Sequence, residues 1–365
     1  MNKKFVVVLF LIILLAALAV YVWWYFIGQR KTDLPMFTIE NEKPQVSVLI
    51  KNLEVPWAGD FLDNKTLIFT ERTGSVKIVN LESQNVENVS NVPDVLAESE
   101  SGLLGIAKHP KFSENDFIYI YSTYSDNGIF KNKVTRHELK NNIFSNPKII
   151  IEDLPGSPIH NGGRIKFGPD GKLYIPTGDS GVDTLAQDSN SLAGKILRLN
   201  DDGSIPDDNP FLNSPIYSLG HRNPQGLAWD SKGNLWETEH GQTATDEVNL
   251  IEKGKNFGWP EIRGEEIKEG LQNPVLHSGN ATWAPSGMSF IENSLFFVGL
   301  RGQSLFKLDP ESKSLNRYFE GNFGRLREVL VGPEDLIYIF TNNRDGRGIP
   351  SADDDQILVI NPKKL

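Results

Sequence analysis

The chain has 365 residues, no cysteine, and 47 acidic against 37 basic side chains, a formal charge of −10 at pH 7. That length holds one large all-β domain or two ordinary domains. The absence of thiols excludes disulfides and cysteine chemistry, and the acidic balance repels phosphate backbones, so no nucleic acid is expected as a partner.

The first element is an unbroken apolar run over residues 5–27, preceded by Lys3-Lys4 and closed by Gly28-Gln29-Arg30-Lys31. Such a run is long enough to span a bilayer and longer than the apolar core of a cleaved signal peptide. Tyr21, Trp23, Trp24 and Tyr25 crowd its C-terminal end, as an interfacial aromatic belt would. Ala17-Leu18-Ala19 resembles a cleavage site, but eight apolar residues follow it. Residues 1–31 are therefore read as an uncleaved membrane anchor, a single N-terminal transmembrane helix, and 32–40 as a linker. The body, 41–365, is expected outside the cytoplasm, periplasmic or on the cell surface. Setting aside Lys3, Lys4, Arg30 and Lys31 leaves 33 basic against 47 acidic residues, so an arginine cluster in the body is local and purposeful.

No amphipathic helical period of useful length follows residue 35. Short β-rich runs recur instead behind turn signals, at 65–70, 116–121, 171–176, 233–238, 293–298 and 335–340. Aligned on Leu67, Phe117, Leu173, Leu235, Leu295 and Ile337, they lie 50, 56, 62, 60 and 42 residues apart. Each interval has room for four short strands, so six copies predict an all-β, six-bladed β-propeller. A β-sandwich with coincidental turn spacing is the alternative. In a propeller, loops from every blade meet on one face, and residues distant in sequence can build one site.

Three clusters put polar side chains on Gly/Pro bends: Ile159-His160-Asn161-Gly162-Gly163-Arg164-Ile165, Thr177-Gly178-Asp179-Ser180-Gly181, and His221-Arg222-Asn223-Pro224-Gln225-Gly226. Loops on a rigid scaffold are where chemistry is placed, and core histidines rarely have this escort. The bland readings are a loop-capping His160, an Asp179 that merely makes a turn, and an Arg222 in a structural ion pair.

With Glu100-Ser101-Gly102-Leu103-Leu104-Gly105, Glu239-His240-Gly241, Asp246-Glu247-Val248-Asn249, Asn256-Phe257-Gly258-Trp259-Pro260, Gly299-Leu300-Arg301-Gly302 and Arg325-Leu326-Arg327-Glu328, these clusters resemble, in order, the soluble PQQ-dependent sugar dehydrogenases. This is the glucose/sorbosone and aldose sugar dehydrogenase family. The resemblance implies a quinoprotein oxidoreductase that oxidises the C1 hydroxyl of aldose sugars to lactones by hydride transfer to PQQ. His160 would be the general base, and an imidazole, with an ordinary pKa near 6.5, suits proton removal at neutral pH. Asp179 would fix its tautomer. Arg222 and Asn223 would contact the quinone oxygens, with Arg222 stabilising charge that develops there. Arg301, Arg325 and Arg327 would hold the cofactor's carboxylates, Arg325 and Arg327 from one face of a strand. Ca²⁺ would bind the backbone carbonyls of Gly241 and Gln242, where the family has Gly-Pro. Electrons would pass to an external acceptor, a membrane quinone and a cytochrome being the candidates.

Glu100 departs from the family's usual cofactor-contacting glutamine, and a carboxylate beside PQQ's own would repel it. Protonation, a Ca²⁺ or arginine partner, and a weakened cofactor site remain open for it. The competing reading is a non-catalytic extracellular propeller of the same ancestry that binds a glycan or protein; Glu100 and Gln242 favour it. A Ca²⁺-dependent lactonase is disfavoured by the motif order. His109, His137, His240 and His277 are read as structural or surface residues.

Overall fold

The computed structural model describes residues 45–365, and in it each of the six aligned repeats lies on the second strand of a four-stranded antiparallel sheet. Leu67 falls in Thr66–Glu71, Leu173 in Leu173–Thr177, Leu235 in Leu235–Glu239 and Ile337 in Ile337–Thr341. The six sheets are the six blades of the expected propeller. These second strands carry the repeat signal because neighbouring blades cover both their faces. Leu173–Thr177, Leu235–Glu239, Ser294–Gly299 and Ile337–Thr341 are buried at every position. A strand with one wet face would alternate instead.

The core therefore lies between blades. Leu67 and Phe69 of blade 1 pack with Leu330, Tyr338 and Phe340 of blade 6, and the rings of Phe69 and Phe340 meet edge to face at 6.0 Å. Each such side chain contributes about 2 kcal/mol by leaving water. Val46–Ile50 closes the ring as the outer strand of blade 6, antiparallel to Ile357–Ile360. One blade built from strands at both ends of the described residues ties the last blade to the first and closes the ring.

Among the described residues the only α-helix is Phe112–Asn115, and no helix is long and apolar enough to cross a membrane. The expected anchor (1–31), linker (32–40) and domain boundary at 41 lie outside the described residues.

The first strands of adjacent blades touch one another around the axis, among them Pro56–Asp63, Leu103–Lys108, Pro285–Ile291 and Leu326–Val331. Arg164, just before the first strand of blade 3, reaches across this axis and is fully buried. Its guanidinium pairs with Glu328 and donates to the carbonyls of Trp57 (3.1 Å), Gln225 (3.0 Å) and Arg327 (3.4 Å). One side chain thus ties blades 1, 3, 4 and 6 together.

Candidate active site

On one face of the ring the loops of blades 2, 3 and 4 converge. Gly178 lets two of them meet: a Cβ there would lie 1.9 Å from the His160 carbonyl oxygen, so no larger residue fits without moving the backbone. His160 itself has φ +56°, the left-handed region that costs a non-glycine residue about 1 kcal/mol. It is held there from both sides. Its N–H donates to Glu100 Oε2 (2.9 Å), and its carbonyl accepts from Ser180 N (3.3 Å).

The His160 ring donates Nδ1–H to Asp179 Oδ1 at 2.7 Å. Asp179 is buried and fixed by two further donors, Gly181 N–H to Oδ1 (2.8 Å) and Trp259 Nε1–H to Oδ2 (2.9 Å). An acceptor at Nδ1 sets the tautomer and leaves the lone pair on Nε2. Trp259, supplied by the loop after the third strand of blade 4, is a part of this arrangement that sequence reasoning did not single out.

Arg222 and Asn223 precede the first strand of blade 4. Arg222 donates its backbone N–H to Glu239 Oε1 (2.6 Å) and Nη1–H to the His240 carbonyl (3.2 Å), and its guanidinium lies 5.3 Å from the Trp259 ring centroid. Burial lowers its pKa, and its Nε is buried without a partner. Asn223 Oδ1 accepts from Gly162 N and Gln225 Nε2, both at 3.1 Å, so its carbonyl is spent on the His160 loop.

Two expectations are corrected. Arg325 and Arg327 do not share a strand face, because a bulge between Leu326 and Glu328 breaks the two-residue period. Arg327 turns to Gln225 Oε1 and Asn342 Oδ1, all at 3.1 Å, and burial lowers its pKa to about 9. Arg325 turns to Asp345 Oδ2 (2.7 and 3.0 Å) and the Leu300 carbonyl. His240 is not a bland residue: it lines the cleft beside Glu100 and Arg327, and its Nε2 is buried without a partner. Burial keeps it neutral by lowering its pKa. Arg301 is exposed and makes no side-chain hydrogen bond among the described residues, while its neighbour Leu300 lines the cleft.

Glu100 has found an arginine. Its Oε1 accepts from Arg347 Nη1 at 2.6 Å. Burial pushes its carboxyl up, but the His160 N–H and Arg347 outweigh that and hold its pKa at about 2. Glu100 is therefore ionised at neutral pH. Arg347 and Arg72, also in the cleft wall, were missed. Arg347 did carry a signal: Asn343-Arg344-Asp345-Gly346-Arg347-Gly348 is one more polar cluster on glycines.

The donors fit a planar tricarboxylate. Arg72, Arg327 and Arg347 line one cleft, and Arg72 Nε, Arg222 Nε and His240 Nε2 are buried polar atoms awaiting partners. The carbonyls of Gly241 and Gln242 accept no hydrogen bond from the described residues, and Gly241 is oriented by donating its N–H to Asp246 Oδ1 (2.9 Å). Two free, hard oxygens suit Ca²⁺. Deeper, His221, Glu237 and Glu239 bring ligand atoms within 4.8 Å of one another, and Glu237 Oε1 is buried without a partner. Burial, with Glu239 close by, raises the Glu237 pKa well above the carboxylate range.

The glucose/sorbosone dehydrogenase family profile matches residues 53–351. The chain is similar to quinoprotein glucose dehydrogenase B of Acinetobacter calcoaceticus, with 38% identity over 63% of this chain and 55% of the relative. It is 32% identical to an aldose sugar dehydrogenase of Escherichia coli over 82% of this chain and 91% of the relative. Its fold matches the PQQ-bound aldose sugar dehydrogenase of Streptomyces coelicolor with a TM-score of 0.82 and 36% identity, covering 87% of this chain and 98% of that one.

Proposed function

The chain belongs to the glucose/sorbosone dehydrogenase family, and from that premise we propose that it is a PQQ- and Ca²⁺-dependent oxidoreductase converting aldose sugars to lactones at C1. The observation that carries the reading is the 2.7 Å bond from His160 Nδ1 to a buried Asp179, which leaves the lone pair on Nε2 to act as a base.

PQQ, when bound, supplies the hydride acceptor. His160 Nε2 takes the proton of the C1 hydroxyl, and the Asp179 carboxylate stabilises the imidazolium that results. Arg222, desolvated and with a free Nε, provides fixed positive charge where negative charge develops; losing such a donor costs about 3–4 kcal/mol of barrier. Arg327 offers its guanidinium to the cofactor's carboxylates, Arg325, held by Asp345, adds positive charge nearby, and the Gly241 and Gln242 carbonyls offer Ca²⁺ two ligands. Gln242 in place of proline leaves that second carbonyl intact. The apolar run over 5–27 supports a membrane-tethered enzyme working outside the cytoplasm, with a quinone or cytochrome receiving its electrons.

Reconstitution of the purified chain with PQQ and Ca²⁺, followed by dye reduction across a panel of aldoses, tests the reading. Sugar-dependent reduction, abolished by His160→Ala with PQQ uptake intact, is expected. No cofactor absorbance change and no reduction with any sugar would sink it in favour of a non-catalytic glycan- or protein-binding propeller.

A further inference from the structure

Arg347 stands 247 positions from Glu100 in sequence, yet their side chains meet at the mouth of the cleft. Glu100 is anchored independently of this contact, through its N–H to the Pro158 carbonyl (2.9 Å) and its Oε2 to His160 N–H. Arg347 is the freer partner, with its side chain 52% exposed against 24% for Glu100. Its backbone is nonetheless fixed. Asp345 Oδ1 accepts the Arg347 N–H at 2.8 Å while Oδ2 holds Arg325, so one carboxylate fixes the Arg347 backbone and the Arg325 guanidinium together.

The pair stands in the way of a ligand. Glu100 and Arg347 line the cleft together with Arg72, His240 and Arg327, so their ion pair occupies space among the side chains that a tricyclic tricarboxylate would contact. Of the cleft's other walls, Trp57, Leu104, Leu300 and Arg327 are buried and locked by packing. Arg347 also lines a neighbouring groove of about 420 Å³, bordered by Phe323 and Asn343, into which its side chain has room to swing. Arg72 adds a push. Its guanidinium is close enough to Arg347 for the two charges to repel, and Glu100, near both, offsets that repulsion.

Resting on the cofactor reading above, we propose that Arg347 is a cofactor-binding side chain held in reserve: Glu100 keeps it across the cleft mouth, and on loading it exchanges the Glu100 carboxylate for one of PQQ. The exchange trades one carboxylate for another. A glutamate in place of glutamine is then an adaptation to loading, which keeps the empty site shut and the His160 loop pinned.

The test is the rate of PQQ uptake and release by the cofactor-free full chain with Ca²⁺, followed by stopped-flow absorbance and by chase with excess unlabelled apo-protein. Glu100→Gln retains an acceptor for the His160 N–H but frees Arg347. Its uptake should quicken by roughly fivefold, the effect of no longer breaking a half-exposed ion pair. Arg347→Ala should load as quickly and lose PQQ roughly tenfold faster, because a charge-assisted contact in the loaded state is gone. Arg347→Lys keeps the ion pair and covers the case of a misfolded alanine variant: it should load at the wild-type rate and still release faster, lacking the two-pronged grip. Wild-type release rates in both Arg347 variants, or unchanged uptake in Glu100→Gln, would overturn the proposal. Failure of the wild-type chain itself to take up PQQ would instead refute the cofactor reading on which it stands.

Discussion

Asp179→Asn isolates what a carboxylate does for His160. Three donors converge on Asp179: His160 Nδ1–H and Gly181 N–H on Oδ1, at 2.7 and 2.8 Å, and Trp259 Nε1–H on Oδ2 at 2.9 Å. Asparagine has one acceptor oxygen to share among them. With that oxygen at the Oδ1 position, the amide NH₂ faces the Trp259 N–H, and the buried donor left over costs about 1–3 kcal/mol. With the amide reversed, Trp259 is satisfied but NH₂ faces His160. The ring must then accept at Nδ1 and carry its proton on Nε2, which removes the base. Both orientations also lose the charge that stabilises the imidazolium, a contact worth about 1.5–3 kcal/mol, or about 10- to 150-fold. The reversed orientation deepens the loss towards the full contribution of a general base, about 10²- to 10⁴-fold. The expected result is a kcat lowered by about 10- to 10⁴-fold with unchanged PQQ absorbance, measured by dye reduction with the loaded variant. A variant turning over near the wild-type rate would refute the assignment of Asp179 as the residue that orients and stabilises the base.

Arg325→Ala/Arg327→Ala should weaken PQQ uptake in an equilibrium titration, with most of the loss traced to Arg327 in the single variants, since only Arg327 lines the cleft; equal losses would contradict that placement. Chelation of Ca²⁺ should block PQQ loading and added CaCl₂ restore it, whereas loading that ignores chelator would remove Gly241 and Gln242 as ligands. Glu100 makes stability sensitive to acid. Its folded pKa of about 2 lies below the ordinary 4.5, so its contribution is fully present above pH 4.5 and is lost as pH falls towards 2. Allowing for its partly exposed partner, that contribution is about 2 kcal/mol. The stability gap between wild type and Glu100→Gln in denaturant unfolding should therefore narrow from pH 6 to pH 3; a constant gap would refute the ionised, paired state.

What the sequence revealed follows from which signals are local. The blade count was readable because second strands, covered on both faces, open on consecutive large apolar residues behind a turn, as Leu173-Tyr174-Ile175 does. His160 and Asp179 were readable because close-packed loops demand glycine beside them, as Gly178 demonstrates. Arg325 and Arg327 misled because strand periodicity holds only where the strand is regular, and a bulge intervenes between them. His240 was passed over because burial without a partner is a property of three-dimensional surroundings. Arg347 and Glu100 belong to different blades, and no spacing rule connects residues 247 apart. Glu100 therefore looked like a misplaced charge until its partner was in view.

Arg164, paired with Glu328 and hydrogen-bonded to blades 1, 4 and 6, has a kinetic consequence. It floors the channel beneath Gln225 and Arg327, while the opposite funnel, bordered by Asp60, Lys108 and Lys166, stops at the same ion pair. The axis is a cul-de-sac. For the proposed reaction, sugar, lactone and electron acceptor must use a single doorway in turn, so the acceptor reaches the reduced enzyme only after the lactone has gone. Initial rates at several fixed acceptor concentrations should then give parallel rather than converging double-reciprocal lines, and excess sugar should compete with the acceptor for the same entrance.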